Sequence, residues 1–196
     1  MRIFFCGAQG TGKSTLVNEL HTNFDPQYKK IDSISKLFLT EKRKNVQTNI
    51  DSPEYFSFQK EILLYCLNLY IFEPEFISSR SIIDSYAYLY YALRHAKANK
   101  ENIGRLFSIL QMYEESCFGD DTLYFYLPVE FEISKDGNTL RNTDDNYQKE
   151  IEKLMADSIE EIKNRRNVNF FTITGTVEER LAKVKEILKQ YNIKCE

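Results

Sequence analysis

Apolar residues along this chain recur in two rhythms. Short continuous runs, Ile3-Phe4-Phe5-Cys6, Thr122 through Leu127 before Pro128, and Asn169 through Thr174, predict strands buried on both faces. Helical spacing fills the gaps: from Thr15 onward, over 56–71 behind a Ser52-Pro53 start, and over 86–98, 103–118, about 144–166 and 176–191. Two further strands are predicted at 28–32 and 75–79, and the polar stretch 41–51 reads as a loop. Strands that alternate with helices imply an α/β protein, a doubly wound, five-stranded parallel sheet with helices on both faces. The 122–128 strand is expected centrally in that sheet.

The first strand runs into Gly7-Ala8-Gln9-Gly10-Thr11-Gly12-Lys13-Ser14, an uninterrupted G-x-x-x-x-G-K-S, and Thr15 opens the following helix. A loop that wraps terminal phosphates must turn its N–H groups inward, which glycine permits. The helix adds its positive dipole end. Lys13 is expected to reach the β- and γ-phosphates of ATP, and Ser14 to ligate the Mg²⁺ that bridges them.

Composition narrows the picture further. At 196 residues and 42% hydrophobic content, the chain is expected to form a single domain. A net charge of −3 offers no global attraction to nucleic acid or acidic membrane, which favours a small-molecule partner. Cys6, Cys66, Cys117 and Cys195 are scattered, and His21 and His95 are isolated, so neither a disulfide framework nor a zinc site is expected. With a strand beginning at Arg2 and no long apolar run, a cytoplasmic protein without membrane contact is expected. Neither an N-K-x-D guanine motif nor an apolar run ending in Asp-Glu occurs, so the features of a regulatory GTPase or a motor ATPase are missing.

Together with the Gly7–Ser14 loop, Phe76-Ile77-Ser78-Ser79-Arg80-Ser81, Phe56-Ser57-Phe58-Gln59, Asp32-Ser33-Ile34-Ser35-Lys36 and Asp136-Gly137-Asn138-Thr139-Leu140-Arg141 resemble the small P-loop nucleoside and nucleotide kinases. That group includes thymidylate, deoxynucleoside and ribosylnicotinamide kinases, often phage-encoded. The resemblance spans nearly the whole chain, but only the P-loop is highly specific. It implies a phosphate-contacting arginine at Arg80, a base-facing amide at Gln59, and an acceptor subsite at Asp32 and Lys36. It also implies a mobile lid over about 132–146 whose Arg141 covers the γ-phosphate. Thr174-Gly175-Thr176 resembles the turn beside the adenine, giving Gly175 and Thr176 as cofactor contacts. Where the family carries an acid before its arginine, this chain has Ser79, which passes the carboxylate's role to Asp84 or Asp32. Asp84 is then a metal candidate beside Ser14.

Each position also has a plainer reading. Gln59 could be a solvated helix residue, Arg80 could close a strand, and Arg141 could pair with Asp144 or Asp145. Tyr86, Tyr88, Tyr90 and Tyr91 cannot share one helix face, so some pack in the core while others, Tyr86 among them, are candidates to line the acceptor cleft. The expectation is an ATP- and Mg²⁺-dependent kinase with catalytic residues Lys13, Asp32, Arg80, Asp84 and Arg141. Its acceptor is a nucleoside, a nucleoside monophosphate or a related compound, and a homodimer is allowed. The alternatives are a kinase acting on a hydroxymethylated base or an end within DNA, and a nucleotide-dependent switch without phosphotransfer.

Overall fold

The computed structural model describes residues 1–22, 28–31, 53–95, 100–130 and 145–193. In chain order the elements are β1 (Arg2–Cys6), α1 (Lys13–Thr22), β2 (Lys29–Ile31), α2 (Pro53–Phe72), β3 (Phe76–Ser78), α3 (Ile82–His95), α4 (Lys100–Cys117), β4 (Thr122–Tyr126), α5 (Asp145–Arg165), β5 (Asn169–Thr172) and α6 (Val177–Gln190). The strands form one five-stranded sheet in the order β2-β3-β1-β4-β5, and every pairing is parallel. β1 is therefore the central strand, and β4 is interior, between β1 and β5.

The continuous apolar runs arise because both sheet faces are covered. Alternation along β1 sends Phe4 and Cys6 to one face and Ile3 and Phe5 to the other. On the first face Phe4 stacks on Tyr124 at 4.9 Å and meets Tyr70 edge-on at 4.8 Å, inside a core built with α2, α3, α4 and α5. On the second, Leu16, Val17 and Leu20 of α1 and Val184, Ile187 and Leu188 of α6 close over Ile3, Phe5 and Phe125. The sheet is doubly wound, as its alternating pattern predicts. In such sheets ligands bind beyond the carboxyl ends of the strands.

The α3 helix begins earlier than the apolar spacing suggests, because a polar cap starts it. Ser81 Oγ accepts from Ile83 N at 3.1 Å, and Asp84 Oδ2 accepts from Ser81 N and Ser81 Oγ, both at 2.8 Å. Two N–H groups that would otherwise be orphaned at the helix start are thereby satisfied. The α6 helix opens on a capping box: Thr176 Oγ1 accepts from Glu179 N at 3.3 Å, and Glu179 Oε2 accepts from Thr176 N at 2.8 Å. Among the described residues no helix is long and apolar enough to cross a membrane.

Candidate active site

Beyond the end of β1 the chain turns sharply at Gly7, whose φ is +154° and where an added Cβ would lie 2.4 Å from the Leu127 carbonyl oxygen. A side chain has no room there, so this glycine is a steric requirement. Gly10 and Gly12 follow at φ +80° and +86°. Lys13 Nζ donates to the Gly7 and Ala8 carbonyls at 2.6 and 2.7 Å, and Thr11 Oγ1 donates to Ala8 at 2.9 Å. Leu16 N reaches the Gly12 carbonyl at 3.0 Å, so the first turn of α1 continues directly from the loop. The lysine ammonium thus lies across the mouth of a loop of backbone N–H groups at a helix start, the arrangement that binds phosphate.

Across from the loop, the end of β3 contributes Ser79 and Arg80, and the first turn of α3 contributes Asp84. Lys13 and Arg80 both act electrostatically on Asp84: burial pushes its carboxyl above the usual carboxylate range, and the two cations oppose that rise. Burial works against the charge on Arg80, but Cys66, Asp84 and Tyr88 outweigh it and raise its pKa further. The Arg80 guanidinium lies 5.3 Å from the Tyr88 ring centroid. Among the described residues it forms no salt bridge, and its buried Nε has no hydrogen-bond partner. Ser79 is 4% exposed, and among the described residues its Oγ has no hydrogen-bond partner. A positive group lacking a carboxylate partner, beside a phosphate cradle, is equipped to take an anion.

Aromatic residues from three helices surround Arg80. Tyr55 of α2, Tyr88 and Tyr91 of α3 and Tyr147 of α5 influence one another, and burial pushes the Tyr88 phenol up to about 12. Tyr91 meets Tyr147 edge-on at 4.7 Å. Gln59, 8% exposed, lies one helical turn from Tyr55 and close enough to influence its phenol. The site thus combines a phosphate loop, a buried arginine within electrostatic reach of the Asp84 carboxylate, and an aromatic wall carrying an amide.

Residues 2–180 match the AAA domain family. The chain belongs to this AAA domain family. A search of curated protein sequences gives no match. Among solved structures, deoxyadenosine kinase from M. mycoides with the products dCMP and a flexible dCDP bound has a TM-score of 0.71 at 16% identity, covering 97% of this chain and 100% of that one. The same enzyme with bound dCTP gives 0.68 at 15% identity, covering 97% and 100%. Thymidylate kinase from Candida albicans gives 0.56 at 18% identity, covering 99% and 96%. The fold of this AAA domain protein is therefore that of the small P-loop nucleoside and nucleotide kinases.

Of the residues singled out in the sequence, the structure brings together Gly7 through Thr15, Arg80 and Asp84, with Gln59 beside Tyr55. Asp32, Lys36 and Arg141 lie outside the described residues, as does 132–144 of the expected lid. Of the two expected cofactor contacts Gly175 and Thr176, Gly175 N donates to Glu130 Oε2 at 2.9 Å, and the same carboxylate oxygen holds Arg180. The Thr176 hydroxyl is engaged in its helix cap. Tyr86, expected to line the acceptor cleft, turns toward α4. Its hydroxyl donates to Glu114 at 2.6 Å and its ring packs near Tyr90 and Phe107, because the α3 face that carries it turns toward α4. Three contributors were not legible as site residues, namely Glu130, Gln148 and Arg180. Gln148 and Arg180 reach loop carbonyls far away in sequence, Glu130 accepts from Arg180 and Gly175 N, and such contacts leave no motif.

Proposed function

We propose that this protein is a kinase that transfers the γ-phosphoryl group of ATP to a nucleoside, a nucleoside monophosphate or a related acceptor by in-line displacement, acting as one domain in the cytoplasm. The observation that carries this reading is the placement of Lys13, at the mouth of the loop, against Arg80 and Asp84 at the neighbouring strand end. Two cations there can neutralise charge on the transferring group. The sequence adds Asp32 to orient or deprotonate the acceptor and Arg141 as a further phosphoryl contact. Tyr88 and Tyr91, the partly exposed members of the aromatic wall, offer stacking surface to a base, with Gln59 as its edge-reading amide.

The donor set also suits Mg²⁺. The Ser14 hydroxyl makes no hydrogen bond to another described residue, and Asp84 supplies one buried carboxylate, so few protein oxygens are offered and phosphates would complete the shell. When bound, the ion would supply positive charge that offsets the charge of the phosphates. Ser14 and Asp84 would hold it, and Lys13 would leave the Gly7 and Ala8 carbonyls for the phosphates.

The test is ATP consumption in the presence of a panel of nucleosides, nucleoside monophosphates and DNA with modified bases or ends. Turnover that depends on a free nucleoside or nucleotide is expected, and Lys13→Ala should reduce it by at least about 10²-fold. Turnover with DNA alone would move the acceptor to a polymer. Tight ATP binding with no acceptor-dependent turnover would make the protein a switch and overturn the kinase reading.

A further inference from the structure

Two carbonyls of the Gly7–Ser14 loop are held from outside by side chains of other elements. Gln148, in the first turn of α5 and 3% exposed, donates through Nε2 to the Gln9 carbonyl at 2.6 Å. Arg180 of α6, also 3% exposed, donates through one guanidinium nitrogen to the Thr11 carbonyl at 2.6 Å. Its other terminal nitrogen is fixed by Glu130 at 2.5 Å, and Glu130 is anchored in turn by Gly175 N.

A trans peptide is planar, and its C=O and N–H point in opposite directions. No peptide in the described chain is cis. The Gln9 carbonyl therefore dictates where the Gly10 N–H points, and the Thr11 carbonyl does the same for the Gly12 N–H. Both glycines sit at positive φ, where few local contacts restrain the flanking peptides. An unrestrained glycine peptide flips at little cost, and a flipped one presents a carbonyl oxygen to phosphate instead of a donor.

We propose that Gln148 and Arg180 are positioning residues that hold the Gly10 and Gly12 N–H groups toward the nucleotide's terminal phosphates, with Glu130 holding Arg180. The proposal rests on the nucleotide-binding reading of the loop. It assigns residues from α5 and α6 to the preorganisation of an anion site to which neither contributes a contact of its own.

The full-length protein is titrated with ADP while the α- and β-phosphorus resonances are followed by ³¹P NMR. Gln148→Leu and Arg180→Met should each weaken ADP binding about tenfold, the size of one charge-assisted or buried hydrogen bond. The β-phosphorus resonance should move while the α-phosphorus resonance stays in place. Arg180→Lys, which keeps a donor for Thr11, should recover most of the affinity. If Arg180→Met does not fold, Gln148→Leu reads the same effect on the Gly10 peptide by itself. Failure of the wild type to bind ADP would remove the nucleotide reading beneath the proposal. If the wild type binds, then either unchanged affinity in the folded variants or weakened affinity with an unmoved β-phosphorus resonance overturns the positioning role alone.

Discussion

Gly7 has a neighbour where its side chain would be. An added methyl would meet the Leu127 carbonyl oxygen at 2.4 Å and the Thr11 hydroxyl at 2.9 Å, and the first of these is backbone that cannot swing aside. Gly7→Ala is therefore expected to cost at least about 2 kcal/mol in urea unfolding and to weaken ATP binding at least tenfold. A variant with wild-type stability and affinity would show that the loop can relax around the methyl. Glu130 makes a pH prediction of defined sign. Its hydrogen bond from Arg180 holds its carboxyl below the ordinary 4.5, against a small opposing effect of burial. A depressed folded-state pKa stabilises above the unfolded value, and that contribution is lost as pH falls from 4.5 through the folded value. Unfolding free energy should thus drop more steeply below pH 4.5 in the wild type than in Glu130→Gln. Parallel slopes would remove Glu130 from the acid limb. The effect is small because this carboxylate is partly exposed.

At the scale of the element, the α3 helix shows what was and was not legible in the sequence. Its apolar and aromatic periodicity is plain, and so are the strands, because parallel strands buried on both faces read as unbroken hydrophobic runs. Its start was hidden, since Ile82 and Ile83 read equally well as the continuation of the strand before them, and only the contacts of Ser81 and Asp84 show the cap. Its four neighbouring tyrosines also could not be sorted by spacing, because α3 packs against both α4 and α5. Tyr88 and Tyr91 face Arg80 and Tyr147, whereas Tyr86 faces α4. There Glu114, 2% exposed, accepts from Tyr86 and pairs with Arg165 and Arg166 at 3.3 and 3.2 Å, tying the end of α5 to α4. Removing that carboxylate strips the Tyr86 hydroxyl of its acceptor and leaves Arg165 and Arg166 with their outer partners Glu161 and Glu115. Glu114→Ala should lose about 2 kcal/mol in chemical denaturation. Tyr86→Phe should lose about 1 kcal/mol while the acceptor KM stays the same. A raised acceptor KM in Tyr86→Phe would return this tyrosine to the cleft.

Over the whole molecule, strand order decides what meets at the site. With β1 central and all strands parallel, the carboxyl ends of β1 and β3 deliver the phosphate loop and Arg80 to one edge, and the segments after β4 and β5 bring Glu130 and Gly175 there. The two core layers have no face in common and are separated by the sheet. One layer supplies α1 and α6, the other α3 and α5, and among the described residues their side chains meet around the loop through Lys13 and Asp84 and through Gln148 and Gln9, with Arg180 holding Thr11 from the α6 side. A nucleotide in the loop should therefore stabilise both layers together. At a hundredfold excess over Kd the gain is about 2.7 kcal/mol. Amide hydrogen exchange with and without a non-hydrolysable ATP analogue should show slowing in α1 and at the start of α6, and also in the first turns of α3 and α5. Slowing confined to the loop and α1 would mean that the nucleotide is gripped by one layer only. In that case Arg80 and Gln148 would have no part in holding it, and the coupling inferred from the sheet's topology would be wrong.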